Sequence, residues 1–93
     1  MIQRDGDRVL VSGRVTMADA AELLEAGRPF VADEGVTFDL SGVTDADSSA
    51  LAVLFGWLRE AHQRNLKLNI SNTPATLLSL AEVYGVSDLL TQR

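Results

Sequence analysis

Two segments of strict apolar–polar alternation frame a stretch of helical period, and this arrangement limits the chain more than any other feature. Val36, Phe38 and Leu40 alternate with Thr37, Asp39 and Ser41, and Leu66, Leu68 and Ile70 alternate again further on. Between them, Ser48-Ser49 opens a segment that reads as a helix as far as Arg64, with Asn65 as a left-handed stop. A strand, a crossover helix of that length and a second strand make parallel neighbours joined with a right-handed hand. The first of these strands is expected to be central, and the helix must lie over the sheet.

The flanking segments extend this unit. Asp5-Gly6 separates two β-prone stretches, Ile2-Gln3-Arg4 and Arg8 to Ser12, as a tight type I′ turn would, and the hairpin is expected to end near Gly13. Thr16 precedes Met17, Ala20, Ala21 and Leu24 at the spacing of one helical face, with Asp19 placed to reach back toward the cap. Gly27 and Pro29 are expected to interrupt this helix, leaving Phe30 and Val31 as covering residues. Asp33-Glu34 reads as a solvated loop pair, and Thr44-Asp45-Ala46-Asp47 as a polar loop that leads into the long helix. Thr73 is expected to cap a third helix with Pro74 at its first position, Leu77, Leu80, Ala81 and Tyr84 on one face, and Gly85 at C′. One more turn through Leu89 and Leu90 fits the tail, Val86 to Arg93. The expectation is a single α/β domain over residues 1–93: a mixed four-stranded sheet, made of an N-terminal antiparallel hairpin and parallel strands, covered by three to four helices.

Composition narrows the function classes. The chain has 93 residues with 8 Lys+Arg against 13 Asp+Glu, a net charge of −5, and its basic residues are scattered singly. Phosphate neutralisation needs clustered Lys and Arg, so nucleic acid is a poor partner and a protein is the better one. The chain contains no cysteine, which excludes a disulfide scaffold, a thiolate nucleophile and a Cys-based metal site. The apolar run that contains Leu51 to Trp57, with Gly56 counted, is far short of the roughly 18 residues that span a bilayer, and no signal-peptide pattern follows Met1. The sequence therefore reads as neither inserted in a membrane nor exported.

The long helix carries the most information. At about 100° per residue, Leu51, Leu54, Phe55, Leu58 and Ala61 fall on one arc wide enough to cover a sheet, while Val53 and Trp57 lie on the flank away from it. A wide sheet or a second helix leaning over would bury Trp57; otherwise the Val53/Trp57 flank is a docking anchor, as tryptophan often is at interfaces. At the start of the same helix, Asp47 suits the N-cap, with Ser48 and Ser49 in a first turn whose amides lack helical partners. A phosphate on Ser48 would meet free amides and the positive end of the helix dipole, opposed by Asp45, Asp47 and Asp39. Asp47-Ser48-Ser49 also reads as a plain capping string.

These same residues carry a family likeness. Asp39-Leu40-Ser41-Gly42-Val43 followed by Asp47-Ser48-Ser49-Ala50-Leu51-Ala52 resembles the STAS domain, in which a strand ending D-L-S leads through a loop to D-[ST]-[SG]-G-L at a helix start. The order of elements read above is also the STAS order, so the resemblance covers essentially the whole chain. It implies a non-catalytic, cytoplasmic interaction module without a cofactor. In the MlaB-like branch such a module binds and supports the ATPase of a phospholipid-transporting ABC complex and is held at the inner membrane through that partner. In the anti-sigma-factor-antagonist branch a partner kinase phosphorylates the hydroxyl residue that corresponds to Ser48. Leu80-Ala81-Glu82-Val83-Tyr84 looks more like the MlaB branch. Ala50 stands where both branches have glycine, and a methyl group there would narrow the approach of a partner backbone. The contact residues implied are Thr44, Asp45, Asp47, Ser48 and Ser49, with Val53 and Trp57 added from the helix flank.

Enzyme readings have less support. Asp39, Asp45 and Asp47 could be arranged around a magnesium ion, but each also has a plain role as turn, cap or strand end. His62 is the single histidine, and no HExxH, G-x-S-x-G or GxxxxGK[ST] string accompanies it. It is expected to sit partly covered near the helix C-terminus. Arg59, Arg64 and Lys67 read as separate solubilising charges. No metal and no cofactor are expected.

Overall fold

A computed structural model describes residues 1–32 and 35–85. The readings of Asp33-Glu34 as a loop pair and of Val86 to Arg93 as a further turn fall outside the described residues. The elements are β1 (Ile2–Asp5), β2 (Arg8–Val15), α1 (Met17–Val31), β3 (Thr37–Ala46), α2 (Ser48–Gln63), β4 (Asn69–Ser71) and α3 (Ala75–Val83). They form a four-stranded mixed sheet in the order β1-β2-β3-β4, with β1 antiparallel to β2 and the remaining pairs parallel. This is the α/β arrangement expected from the strand–helix–strand pattern, with β3 central.

The hairpin closes between Asp5 and Arg8, but only the first of its two loop residues, Gly6, has a positive φ, at 65°. Glycine at the first central position with an ordinary φ at the second fits a II′ turn, so the I′ expectation is corrected. The β1–β2 hairpin ends near Gly13 as expected, with Ile2 opposite Val11 and Met1 bonded to Ser12, but β2 itself continues to Val15 in parallel pairing with β3. Likewise Thr44-Asp45-Ala46 is strand rather than loop, because β3 takes one extra residue between the partners of Leu10 and Ser12 and another, Thr44, between those of Gly13 and Arg14. Such bulges extend a strand while re-aiming its side chains. On β4, by contrast, only Asn69–Ser71 pair with β3, although Leu68 is buried and Leu66 and Ile70 are half-buried, as the alternation requires.

The three helices share one face of the sheet. Leu23 of α1, Leu54 and Trp57 of α2 and Leu77 of α3 meet Val11, Val15 and Leu40 around one interior space. The rings of Phe38 and Trp57 lie 4.7 Å apart with their planes tilted by 54°, a favourable edge-biased arrangement. α1 runs unbroken through Gly27 and Pro29 to Val31. Pro29 lies in the last turn, where its missing N–H removes one bond of the ladder, and the expected interruption does not occur. The buried face of α1 is Leu23, Gly27 and Val31, with Ala20 and Leu24 half-buried, whereas Met17 and Ala21 face solvent.

Gly27 explains why the two long helices lie so close. A Cβ built on it would overlap the indole of Trp57, and one built on Gly56 would come within 2.8 Å of Leu24 Cδ1. Each helix thus presents a glycine to a large side chain of the other. The indole N–H of Trp57 donates to the Leu24 carbonyl at 3.0 Å, which satisfies its polar atom inside the core. Asn65 and Gly85, with φ of 58° and 72°, follow the ends of α2 and α3 as expected. At the start of α3, Pro74 is the N-cap rather than the first helical residue, and Thr73 makes no capping bond, a displacement of one position from the expected cap. Leu77 and Ala81 are buried and Leu80 is half-buried, but Tyr84, expected on the same face, is 59% exposed. Among the described residues, no helix is long and apolar enough to cross a membrane.

Candidate functional site

β2 and β3 run parallel, so both deliver their C-terminal ends to the same edge of the sheet, and each feeds a helix there. Val15 and Ala46 are register partners, and the Asp47 amide donates to the Val15 carbonyl at 3.4 Å. The N-termini of α1 and α2 therefore emerge side by side. Ligands of parallel-sheet proteins collect at this edge because backbone N–H groups of helix starts converge on it.

Asp47 joins the two helix starts. Its Oδ1 accepts from the Ser49 amide at 2.8 Å, which is the N-cap expected for α2, and its Oδ2 accepts from the Met17 amide of α1 at 3.2 Å. One carboxylate thus satisfies an orphan donor on each of two helices and lies at the positive end of both dipoles. Thr16, at the start of α1, uses its hydroxyl to donate to Asp19 at 3.1 Å instead of capping an amide.

Ser48 is the first residue of α2 and is exposed, and its hydroxyl makes no hydrogen bond to any described group. Thr44 and Asp45 are exposed beside it on the bulged end of β3, while Asp47 and Ser49 are half-buried. The structure brings these five residues together as expected. Met17 joins them although its spacing places it on the apolar face: it is 80% exposed, bound through its amide to Asp47. An exposed, flexible thioether next to hydroxyls and carboxylates suits a protein contact.

The Val53/Trp57 flank is the main correction. Val53 is 3% exposed and Trp57 0%, both inside the core. The alternative in which another helix leans over is the one realised: α1 covers this flank, and Gly27 opposite Trp57 lets it approach. Neither side chain is available to a partner in this conformation. The two in-helix glycines were the available signal, since a glycine inside a helix often marks a close approach. Ala50 is 1% exposed and lines the core with Leu54 and Leu77, so its methyl group does not narrow access to Ser48.

Asp39 belongs to a different surface. On the sheet face opposite the helices its Oδ1 accepts from the Ser41 amide at 2.9 Å and the Asn72 side chain at 3.1 Å, and its Oδ2 from Arg8 at 2.9 Å. The Ser41 amide, then the Asn72 amide, and in smaller measure the Arg8 charge hold this carboxyl below the ordinary aspartate value against the opposing effect of burial. Its oxygens are occupied, as are those of Asp47, and Asp39, Asp45 and Asp47 do not gather; among the described residues no group of three or more acidic or histidine side chains could hold a metal. His62 is exposed rather than partly covered, and it lies fourteen residues along α2 from Ser48, about 21 Å of helix rise, out of reach as a base.

Comparison with known proteins agrees with this fold. The family model described as "Mlab, STAS domain" matches residues 1–91. The anti-sigma-B factor antagonist of Listeria monocytogenes is 29% identical over 92 residues, covering 95% of this chain and 81% of that protein. The intermembrane phospholipid transport system binding protein MlaB of Haemophilus influenzae is 36% identical over 53 residues, 57% of this chain and 50% of that one. Among solved structures, the anti-sigma factor antagonist SpoIIAA in its unphosphorylated form superposes with a TM-score of 0.64 at 11% identity, covering 88% of this chain and 80% of the other.

Proposed function

This chain belongs to the STAS domain family, and on that footing we propose that it is a non-catalytic interaction module whose contact surface is the joint start of α1 and α2. The observation that carries this reading is the exposed Ser48 with an unengaged hydroxyl, set beside Thr44, Asp45 and Met17 on a base that Asp47 fixes to both helices. A surface held by two helix starts is rigid, and binding to it costs little ordering entropy. Histidine lies too far along α2 to activate Ser48, which favours docking over chemistry.

Within this class the reading we favour is an MlaB-like subunit, which binds and supports the ATPase of a phospholipid-transporting ABC complex in the cytoplasm and reaches the inner membrane only through that partner. The MlaB-type family model supports it. The experiment is co-purification with the cognate ATPase. Ser48→Glu puts a carboxylate next to Asp45 and Asp47 where the partner must approach, and is expected to weaken association about tenfold or more, with stability unchanged within ~0.5 kcal/mol. Undiminished association would refute the surface.

A second reading, an anti-sigma-factor antagonist phosphorylated on Ser48 by its partner kinase, is supported by the longer alignment with the Listeria proteins. It predicts a single phosphate after incubation with the cognate kinase, absent in Ser48→Ala. A phosphorylated Ser48→Ala protein would remove Ser48 as the acceptor.

A further inference from the structure

At the far end of α2 from Ser48, a groove of about 610 Å³ opens between the helix and the segment that leads into β4. Its lining includes the half-buried Phe55, Leu58 and Leu66, and its rim carries Arg59 and Lys67, both exposed. Phe55, Leu58 and His62 recur at helical spacing along its wall, a ridge of about two turns.

The charges on the rim are set apart from the rest. Arg8, Arg14, Arg28 and Arg64 each lie within ion-pair distance of an aspartate or glutamate, whereas Arg59 and Lys67 meet no carboxylate among the described residues. On a chain whose net charge is −5, these two cations both flank the same apolar groove. We infer that this groove is a second docking surface, and that its occupant is an acidic amphipathic helix of a protein partner.

The chemistry selects this occupant in two steps. Apolar side chains at helical spacing give a wall into which the ridge of another helix packs, with leucine or phenylalanine filling the groove. Carboxylates on the edges of that helix would then meet Arg59 and Lys67. An anionic membrane would find the same two cations, but it would also face the field of the whole acidic chain, which repels an extended negative surface more than a short segment that feels mainly the rim. Because the groove and Ser48 lie at opposite ends of α2, this surface is independent of the one proposed above.

The test is a fluorescence-anisotropy titration of the full chain with two labelled synthetic peptides. One is an amphipathic helix with leucines on one face and glutamates along its edges; the other carries lysine in place of every glutamate. Non-specific attraction to the acidic chain favours the lysine peptide, so the groove predicts the opposite order. The glutamate peptide should bind about tenfold more tightly, weaken as sodium chloride rises, and lose its advantage in the Arg59→Glu/Lys67→Glu variant. The salt series on the unaltered protein decides the same question should that variant fail to fold. Ser48→Glu should leave the titration unchanged, so this result and that of the Ser48 surface can fail separately. Equal or tighter binding of the lysine peptide, or no binding of the glutamate peptide, overturns the inference. So does co-sedimentation with phosphatidylglycerol vesicles, or self-association in sedimentation velocity, that the double charge reversal abolishes, for either would give the groove another occupant.

Discussion

Gly27 and Trp57 meet where the two long helices come closest, and their contact determines what α2 offers to the outside. A methyl group on Gly27 would overlap the indole, whose position is fixed by the bond to the Leu24 carbonyl and by the ring of Phe38. Gly27→Ala gains about 0.5–1 kcal/mol of helix propensity. Forcing the helices apart costs more, about 1–3 kcal/mol on the scale of overpacked cores. The net expectation is destabilisation, read as a lower urea midpoint, accompanied by a change in tryptophan emission as the indole is displaced. An unchanged midpoint would mean that α1 can move away freely, and the buried assignment of Trp57 would lose its basis. Sequence pattern alone makes Gly27 a helix break and leaves Trp57 open between a buried residue and a surface anchor. Both have one source, since a glycine and a tryptophan thirty residues apart reveal their pairing only once the helices are docked.

At the scale of the element, the start of each helix depends on Asp47. The D-S-S string made its capping of Ser49 legible, because a cap bonds an amide two residues away and needs only local geometry. Its second bond, to Met17, spans thirty residues and arises from the parallel pairing of β2 and β3. Asp47→Ala is therefore expected to destabilise the protein by about 0.5–2 kcal/mol and to raise hydrogen exchange at both the Ser49 and Met17 amides. Faster exchange at Ser49 alone would show that α1 does not rely on this carboxylate. The two bulges of β3 belong to the same scale. They carry the strand through Thr44 to Ala46, residues whose polarity reads as loop, because polar side chains are compatible with a strand end whose backbone is satisfied by its neighbour.

Across the whole molecule, Asp39 ties three strands together through Arg8 on β2, its own β3 and Asn72 just beyond β4. Its carboxyl is held below the ordinary value in the folded state, chiefly by the Ser41 amide, so the folded protein favours the ionised form. The stability this contributes is fully present above the unfolded carboxylate value near pH 4 and is lost as pH falls through the lower folded value. Urea midpoints measured from pH 6 down to pH 2.5 should decline more steeply for the native protein than for Asp39→Asn, which has no charge to lose. Parallel declines would remove Asp39 from the acid response. Its burial was not legible from the strand alternation, which places it on the solvent side of β3; a charged group can be buried there because three donors on separate segments converge on it.

The order and period of the residues were enough to set the class of fold, the mixed sheet, the face that β3 presents to the core, and the helix start at Asp47-Ser48-Ser49. All of these follow from contacts between near neighbours or from the geometry of a right-handed crossover. Docking of the elements was needed to establish that α1 covers Trp57, that Met17 lies at the surface beside Ser48, and that Arg59 and Lys67 border one groove. Each of those depends on which distant segment packs against a given face, and periodicity shows that a face is apolar without naming what covers it.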